Sequence, residues 1–140
     1  LYCSLQCRPT AKHGRGKGGT REDLGIYVRS TWEANYARYL NFLRSAGQIK
    51  GWEYEPETFC FHQIKRGTRF YTPDFKVTEN DGRVIFHEVK GYMDPKSVTK
   101  LARMAKYYPD QRVIVIAEKE MRAIKAACAA LIPFWESGKF

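Results

Sequence analysis

Two apolar runs joined by Glu79-Asn80-Asp81-Gly82 constrain this chain more than any other feature. Asn, Asp and Gly tolerate left-handed backbone angles, so the segment through Tyr71-Thr72-Pro73-Asp74-Phe75 is predicted to fold back on Val84-Ile85-Phe86-His87-Glu88-Val89-Lys90-Gly91 as an antiparallel hairpin. The turn brings Asp74 close to Glu88. Side chains alternate across a strand, so Glu88 and Lys90 share one face while His87 and Val89 point to the other. Two carboxylates and one ammonium are then expected over one surface.

Phosphodiester hydrolysis needs such a set. Mg²⁺ takes hard oxygen ligands, commonly one or two carboxylates completed by water and substrate phosphate, and Asp74 and Glu88 can supply them. A lysine beside the metal can orient the attacking water and bind the scissile phosphate, which gives Lys90 a role. The plainer alternative is a polar hairpin tip with a surface Glu/Lys pair. At Pro73-Asp74 and Glu88-Val89-Lys90 the chain resembles the PD-(D/E)XK nuclease superfamily. That resemblance implies a Mg²⁺-dependent DNA endonuclease, with Mn²⁺ as a substitute. In it Asp74, Glu88 and the backbone carbonyl of Val89 would hold the metal, and Lys90 would position the water.

Upstream, Trp32, Tyr36, Tyr39, Leu40 and Leu43 recur at helical spacing with Gly47 just past the end, which predicts an amphipathic helix opening at Arg29-Ser30-Thr31-Trp32-Glu33. Ser30 and Glu33 fit a capping box. Glu33 also has a functional reading, as a third acid beside the metal. An Arg-Ser-x-x-Glu helix start ahead of a Pro-Asp strand resembles phage junction-resolving endonucleases. The similarity runs from Val28 to Ile116, takes in Tyr54-Glu55, and extends more weakly to Leu131-Ile132-Pro133. It implies branched or junction DNA as substrate, a homodimer with two symmetric active sites, and the host cytoplasm as the setting for a phage-encoded protein. The amino-terminal segment departs from those relatives.

The remaining elements follow from patterning. Trp52 to Phe61 alternates until Pro56 interrupts it, as an edge or bent strand would. Asp94-Pro95 supplies an N-cap and a first-turn proline for a helix to about Tyr108. Val113-Ile114-Val115-Ile116 reads as a strand buried on both faces, and a last helix is expected from Glu118 to Ala130. The predicted order is α-β-β-β-α-β-α, an α/β fold with a mixed β-sheet flanked by helices, which the resemblance identifies with the restriction-endonuclease-like core. With 140 residues the chain is sized for one domain. No apolar run approaches the length of a membrane span.

A formal net charge of +9 favours a polyanionic partner such as DNA. Lys96, Lys100, Arg103 and Lys106 are expected on one face of the helix after the catalytic strand, opposite a buried stripe of Val98, Leu101, Ala102 and Ala105. Arg8, Lys12, His13, Arg15, Lys17 and Arg21 lie among glycines, so residues 1–27 read as a flexible basic arm that can track a DNA backbone. The nuclease-like domain is then 28–140. Cys3 and Cys7 resemble one knuckle of a zinc ribbon, but a closed zinc site needs four ligands. The start at Leu1 leaves open an upstream pair; otherwise both are free thiols, and with Cys60 and Cys128 in core-like surroundings no disulfide framework is indicated.

Among the weaker candidates, Glu53, Glu55 and Glu57 read mainly as solvated strand residues. Tyr71 and Tyr92 read as core aromatics or base-stacking groups. A non-catalytic DNA-binding accessory module on the same fold is the alternative function, although it gives no reason for acids facing phosphates.

Overall fold

The computed structural model describes residues 18–137. Its first element is an antiparallel ribbon of β1 (Gly19–Arg21) and β2 (Ile26–Val28), turned at Gly25 with φ of 67°. The expected arm boundary at residue 27 therefore falls inside this ribbon. Arg21 ties it to the far end of the chain through bonds of 2.8 and 3.0 Å to Glu136. Cys3 and Cys7, with the zinc they could bind, and the basic residues Arg15 and Lys17 lie outside the described residues.

Helix α1 (Thr31–Ser45) starts where Ser30 accepts the Glu33 amide at 3.1 Å. It ends in a Schellman turn. Gly47 takes φ of 73°, and the Gln48 and Gly47 amides donate to the Leu43 and Arg44 carbonyls at 2.8 and 3.0 Å. One side of α1 buries Tyr36, Ala37 and Leu40 in the core, while Trp32, Tyr39 and Leu43 pack at its margin. A second side, unexpected from the apolar pattern, is buried through polar groups. Arg38 joins Asp23 and Glu136, and Asn35 exchanges two hydrogen bonds of 2.9 Å with the Glu136 backbone.

After α1 come β3 (Gly51–Tyr54), β4 (Phe59–Cys60), β5 (Phe70–Tyr71), β6 (Phe75–Thr78), β7 (Val84–Val89), α2 (Pro95–Tyr107), β8 (Arg112–Ile116) and α3 (Glu118–Cys128), then a short 3₁₀ turn at Ala129–Leu131. The main sheet has the order β3-β6-β7-β8. Its first two pairings are antiparallel, and β7-β8, joined through α2, is parallel. The result is a mixed α/β fold with a mixed sheet and three helices. Apart from the two small ribbons, its order is α-β-β-β-α-β-α.

The predicted β6-β7 hairpin is present. It pairs Phe75 with His87 and Thr78 with Val84, and Gly82 takes φ of 88° at the turn. One face of the sheet packs Phe75, Val77, Val89 and Ile116 against α1 and α3. The other packs Phe86 against Met104 of α2 and against Phe59, Phe61 and Tyr71 from the β4-β5 ribbon.

Three expectations need correction. The run 52–61 does not form one strand: the chain leaves the sheet at Glu55, whose φ is 45°, and Pro56 keeps it from re-pairing. Strand β8 is an edge, so Val113, Ile114 and Val115 are only half-buried. On α2 the buried positions are Ser97 and Met104, with Leu101 packed beside them, while Val98, Ala102 and Ala105 are exposed. The helix is thus rotated toward Lys100 and Arg103, which are half-buried, and away from the predicted apolar stripe. Sheet contact through the larger Leu101 and Met104 outweighs the two small alanines. Among the described residues, no helix is long and apolar enough to cross a membrane.

Candidate metal and phosphate site

Asp74 immediately precedes the first residue of β6 and Glu88 follows His87 on β7, so the Phe75–His87 pairing sets the two carboxylates across from one another. Both lie on the sheet face opposite Phe75 and Val89. The backbone amide of Val89 donates to Asp74 Oδ2 at 2.8 Å, which locks the aspartate to the neighbouring strand. Tyr71 donates to Glu88 Oε2 at 2.7 Å from the β4-β5 ribbon. Lys90 follows directly, its amide bonded to the Ile116 carbonyl at 3.0 Å, so the end of β7 is held by β8. Gly91 has a separate steric reason: a β-carbon there would lie 3.2 Å from the Trp32 ring.

Burial pushes the Asp74 carboxyl well above its usual range, and the neighbouring charges of Glu88 and Glu33 push it further; Arg29 and the Val89 amide only partly oppose them. Glu88 is also raised by burial, against the opposing influence of Tyr71, Lys90 and Lys100. Two adjacent acids, one buried and one half-buried, disfavour joint ionisation unless a cation lies between them.

Glu33 caps α1 and stands near the acid pair. Its carboxylate accepts from Ser30 Oγ at 3.3 Å and from the Arg29 amide at 3.1 Å, so the cap reaches one residue further back than a capping box does. It also accepts from the Tyr54 hydroxyl at 2.6 Å and acts electrostatically on Asp74.

The acidic run of β3 divides three ways. Glu53 is exposed, Glu57 pairs with Lys76 at 2.6 Å, and Glu55 meets the guanidinium of Arg29. The same guanidinium reaches Asp74 Oδ1 at 3.1 Å. Glu55 therefore shares its cation with Asp74, and its left-handed backbone is strain of about 1–3 kcal/mol.

The basic residues of α2 also separate. Lys100 is half-buried with its ammonium 6.0 Å from the Tyr71 ring centroid, and burial lowers its pKa, with Glu88 opposing and Lys90 and Lys96 reinforcing that shift. It borders the acids. Arg103 instead donates to the Thr68 carbonyl and holds the loop before β5, while Lys96 and Lys106 remain on the exposed surface. Tyr92 is exposed beside the site, whereas Tyr71 is buried within it. His87 lies on the opposite face, against Tyr36.

No protein-family model and no curated protein matches this chain. The chemistry of the site rests on its own residues.

Among the described residues, no three His, Cys, Asp or Glu side chains form a group that could hold a metal ion. Mg²⁺ does not require such a cage, since it keeps several waters and takes one or two carboxylates. Asp74, Glu88 and the Val89 carbonyl are hard oxygen donors of that type, and burial makes both carboxyls costly to ionise. The residues fit a hard divalent cation. A groove of about 350 Å³ lies elsewhere, beside α1 and Ile132-Pro133-Phe134, but its charged residues Asp23 and Arg38 are already paired with each other at 2.8 Å.

Arg29 and Tyr54 have no site role in the sequence reading, though both stand in its blocks Arg29-Ser30-Thr31-Trp32-Glu33 and Tyr54-Glu55. Glu55 and Tyr71 are weaker candidates there, Glu55 as a carboxylate that could be lent to the site and Tyr71 as a stacking or core aromatic.

Proposed function

We propose that this chain is a Mg²⁺-dependent DNA endonuclease on a restriction-endonuclease-like core, acting on branched or junction DNA. The observation that carries the reading is the placing of buried Asp74 opposite half-buried Glu88 where β6 meets β7, with Lys90 next on the same face. Such a pair is costly to ionise and has no packing value, which points to a role with a cation.

Asp74 and Glu88 would hold Mg²⁺ together with the Val89 carbonyl. When bound, the metal supplies acidification of water and neutralisation of charge at phosphorus. Lys90 offers an ammonium to a non-bridging phosphate oxygen and to the entering water. Hydrolysis adds that water across one P–O bond, leaving a phosphate monoester on one strand end and a hydroxyl on the other. Tyr71 orients Glu88, Tyr54 fixes the Glu33 carboxylate on the α1 side of the site, and Lys100 adds positive charge above Tyr71.

A non-catalytic DNA-binding module is the second reading. It is favoured by one observation, that Arg29 already places a cation on Asp74.

The deciding experiment is incubation of supercoiled plasmid and of a four-way junction with Mg²⁺, Mn²⁺ or EDTA, beside Glu88→Ala. Metal-dependent cuts that vanish in the variant are expected, with the junction cut faster. Salt-sensitive binding without products in either metal supports the second reading instead.

A further inference from the structure

Arg29 enters the acid cluster from outside the core. It follows β2, and its side chain remains 42% exposed while that of Asp74 is only 4% exposed. Its guanidinium touches Asp74 Oδ1 and Glu55 Oε1, and its own backbone amide donates to Glu33. Three acids thus converge on one residue.

The two partners of each contact differ in freedom. Asp74 is pinned by the Val89 amide, and Glu55 sits on a backbone whose amide is bonded to the Asp74 carbonyl at 2.8 Å. Arginine carries a long side chain with several rotatable bonds, and here it has open space on one side. When charges rearrange at this site, the guanidinium is the group that can leave.

We propose that Arg29 is a tethered counter-ion which holds Asp74 and Glu55 until a divalent cation displaces it, and then serves as a contact for a DNA phosphate. This rests on the nuclease reading of the same site. A divalent cation on Asp74 and a guanidinium a few ångströms away repel strongly in a poorly hydrated site, so the two do not share the carboxylate at full strength. Once displaced, the planar fork suits a phosphate oxygen pair.

The test uses the full chain without DNA first. Mn²⁺ is titrated calorimetrically into the wild type, Arg29→Met and Arg29→Lys, with a thermal melt in EDTA to confirm folding and Arg29→Gln held as a replacement for Met. Removing the charge should tighten Mn²⁺ by about tenfold or more, whereas lysine should stay within about threefold of wild type because it keeps the cation. DNA binding is then followed against salt in Ca²⁺ and in EDTA. The slope should fall by about one phosphate contact in Arg29→Met with Ca²⁺ and be unchanged in EDTA.

Mn²⁺ affinity that is unaltered or weaker in Arg29→Met overturns the proposal, as does an absence of Mn²⁺ binding in every variant. A wild type that cuts DNA while Arg29→Met gains no affinity removes the counter-ion and leaves the nuclease. Tighter Mn²⁺ in Arg29→Met with no cutting by the wild type does the reverse.

Discussion

Tyr71 gives its phenolic hydrogen to Glu88 Oε2 at 2.7 Å, from a two-stranded ribbon that is not part of the main sheet. The ribbon therefore does more than cover Phe86, since it fixes the rotamer and the charge of a candidate metal ligand. Burial, and then the Glu88 charge, raises the Tyr71 hydroxyl far above its ordinary range, so it remains a donor at any working pH.

Tyr71→Phe removes that donor and keeps the ring. Partners of this kind typically contribute about 10- to 100-fold in metal affinity or activity, and a loss of that size in cleavage is expected. The same bond lowers the Glu88 pKa, so without it the carboxyl rises further. Glu88 must be ionised to bind a cation, so the acid limb of the pH–rate profile should move to higher pH. An unshifted limb with full activity would show that the ribbon merely packs.

Asp74→Asn should be more stable than the wild type at neutral pH in EDTA, by roughly 1 kcal/mol or more. The sign follows from burial. Asp74 has a folded pKa above its unfolded value of 3.8, so its contribution is fully present below that value and is lost as pH rises through the raised folded value. Asparagine does not titrate and escapes the loss. Melts between pH 4 and 8 should show the two proteins diverging as pH rises, and Mg²⁺ should raise the melting temperature of the wild type alone. A less stable asparagine variant at pH 7 would mean that the Arg29 contact more than offsets the buried charge.

The hairpin of Asp74 and Glu88 was legible because its register depends on local chemistry: a left-handed turn at Gly82 and strict alternation along β7. The cap at Ser30 and the Asp94-Pro95 start of α2 were legible for the same reason. Contacts made by long-range packing were not. Nothing in Val98, Ala102 and Ala105 says that Leu101 and Met104 will win the sheet. Nothing local puts Arg29, forty-five residues before Asp74, on that carboxylate. The acidic run at Glu53, Glu55 and Glu57 looked uniform because its break depends on a single unusual backbone angle at Glu55.

His87 predicts an acid-sensitive core. Burial lowers its pKa to about 4 from 6.5, so it is neutral at pH 7, and its Nδ1 shares a hydrogen bond of 2.5 Å with the Tyr36 hydroxyl. Its Nε2 is buried with no hydrogen-bond partner among the described residues. The unfolded chain binds a proton below about pH 6.5 while the folded one resists until about pH 4, so stability falls across that window. The shift corresponds to an order of 3 kcal/mol. His87→Gln keeps a hydrogen-bonding group for Tyr36 without titrating, and its unfolding free energy should be flatter between pH 6.5 and 4. Parallel curves for the two proteins would exclude His87 as the sensitive group.

Lys96 and Lys100 stand one helical turn apart on α2, yet the structure separates their roles. Lys96 is exposed, and its contribution should be that of a solvent-facing phosphate contact, weakening DNA binding evenly and lowering the salt slope by about one on substitution by alanine. Lys100 faces Tyr71 and lowers the Glu88 pKa, so it acts on the acid pair. Lys100→Ala should therefore cost about 10-fold or more in cleavage at saturating DNA, and it should shift the acid limb upward in the direction expected for Tyr71→Phe. Single-turnover rates across pH, set beside binding in Ca²⁺, separate the two residues. Equal effects of the two alanine variants on rate and slope would place Lys100 among the ordinary surface lysines and leave Lys90 as the cation that serves the acid pair.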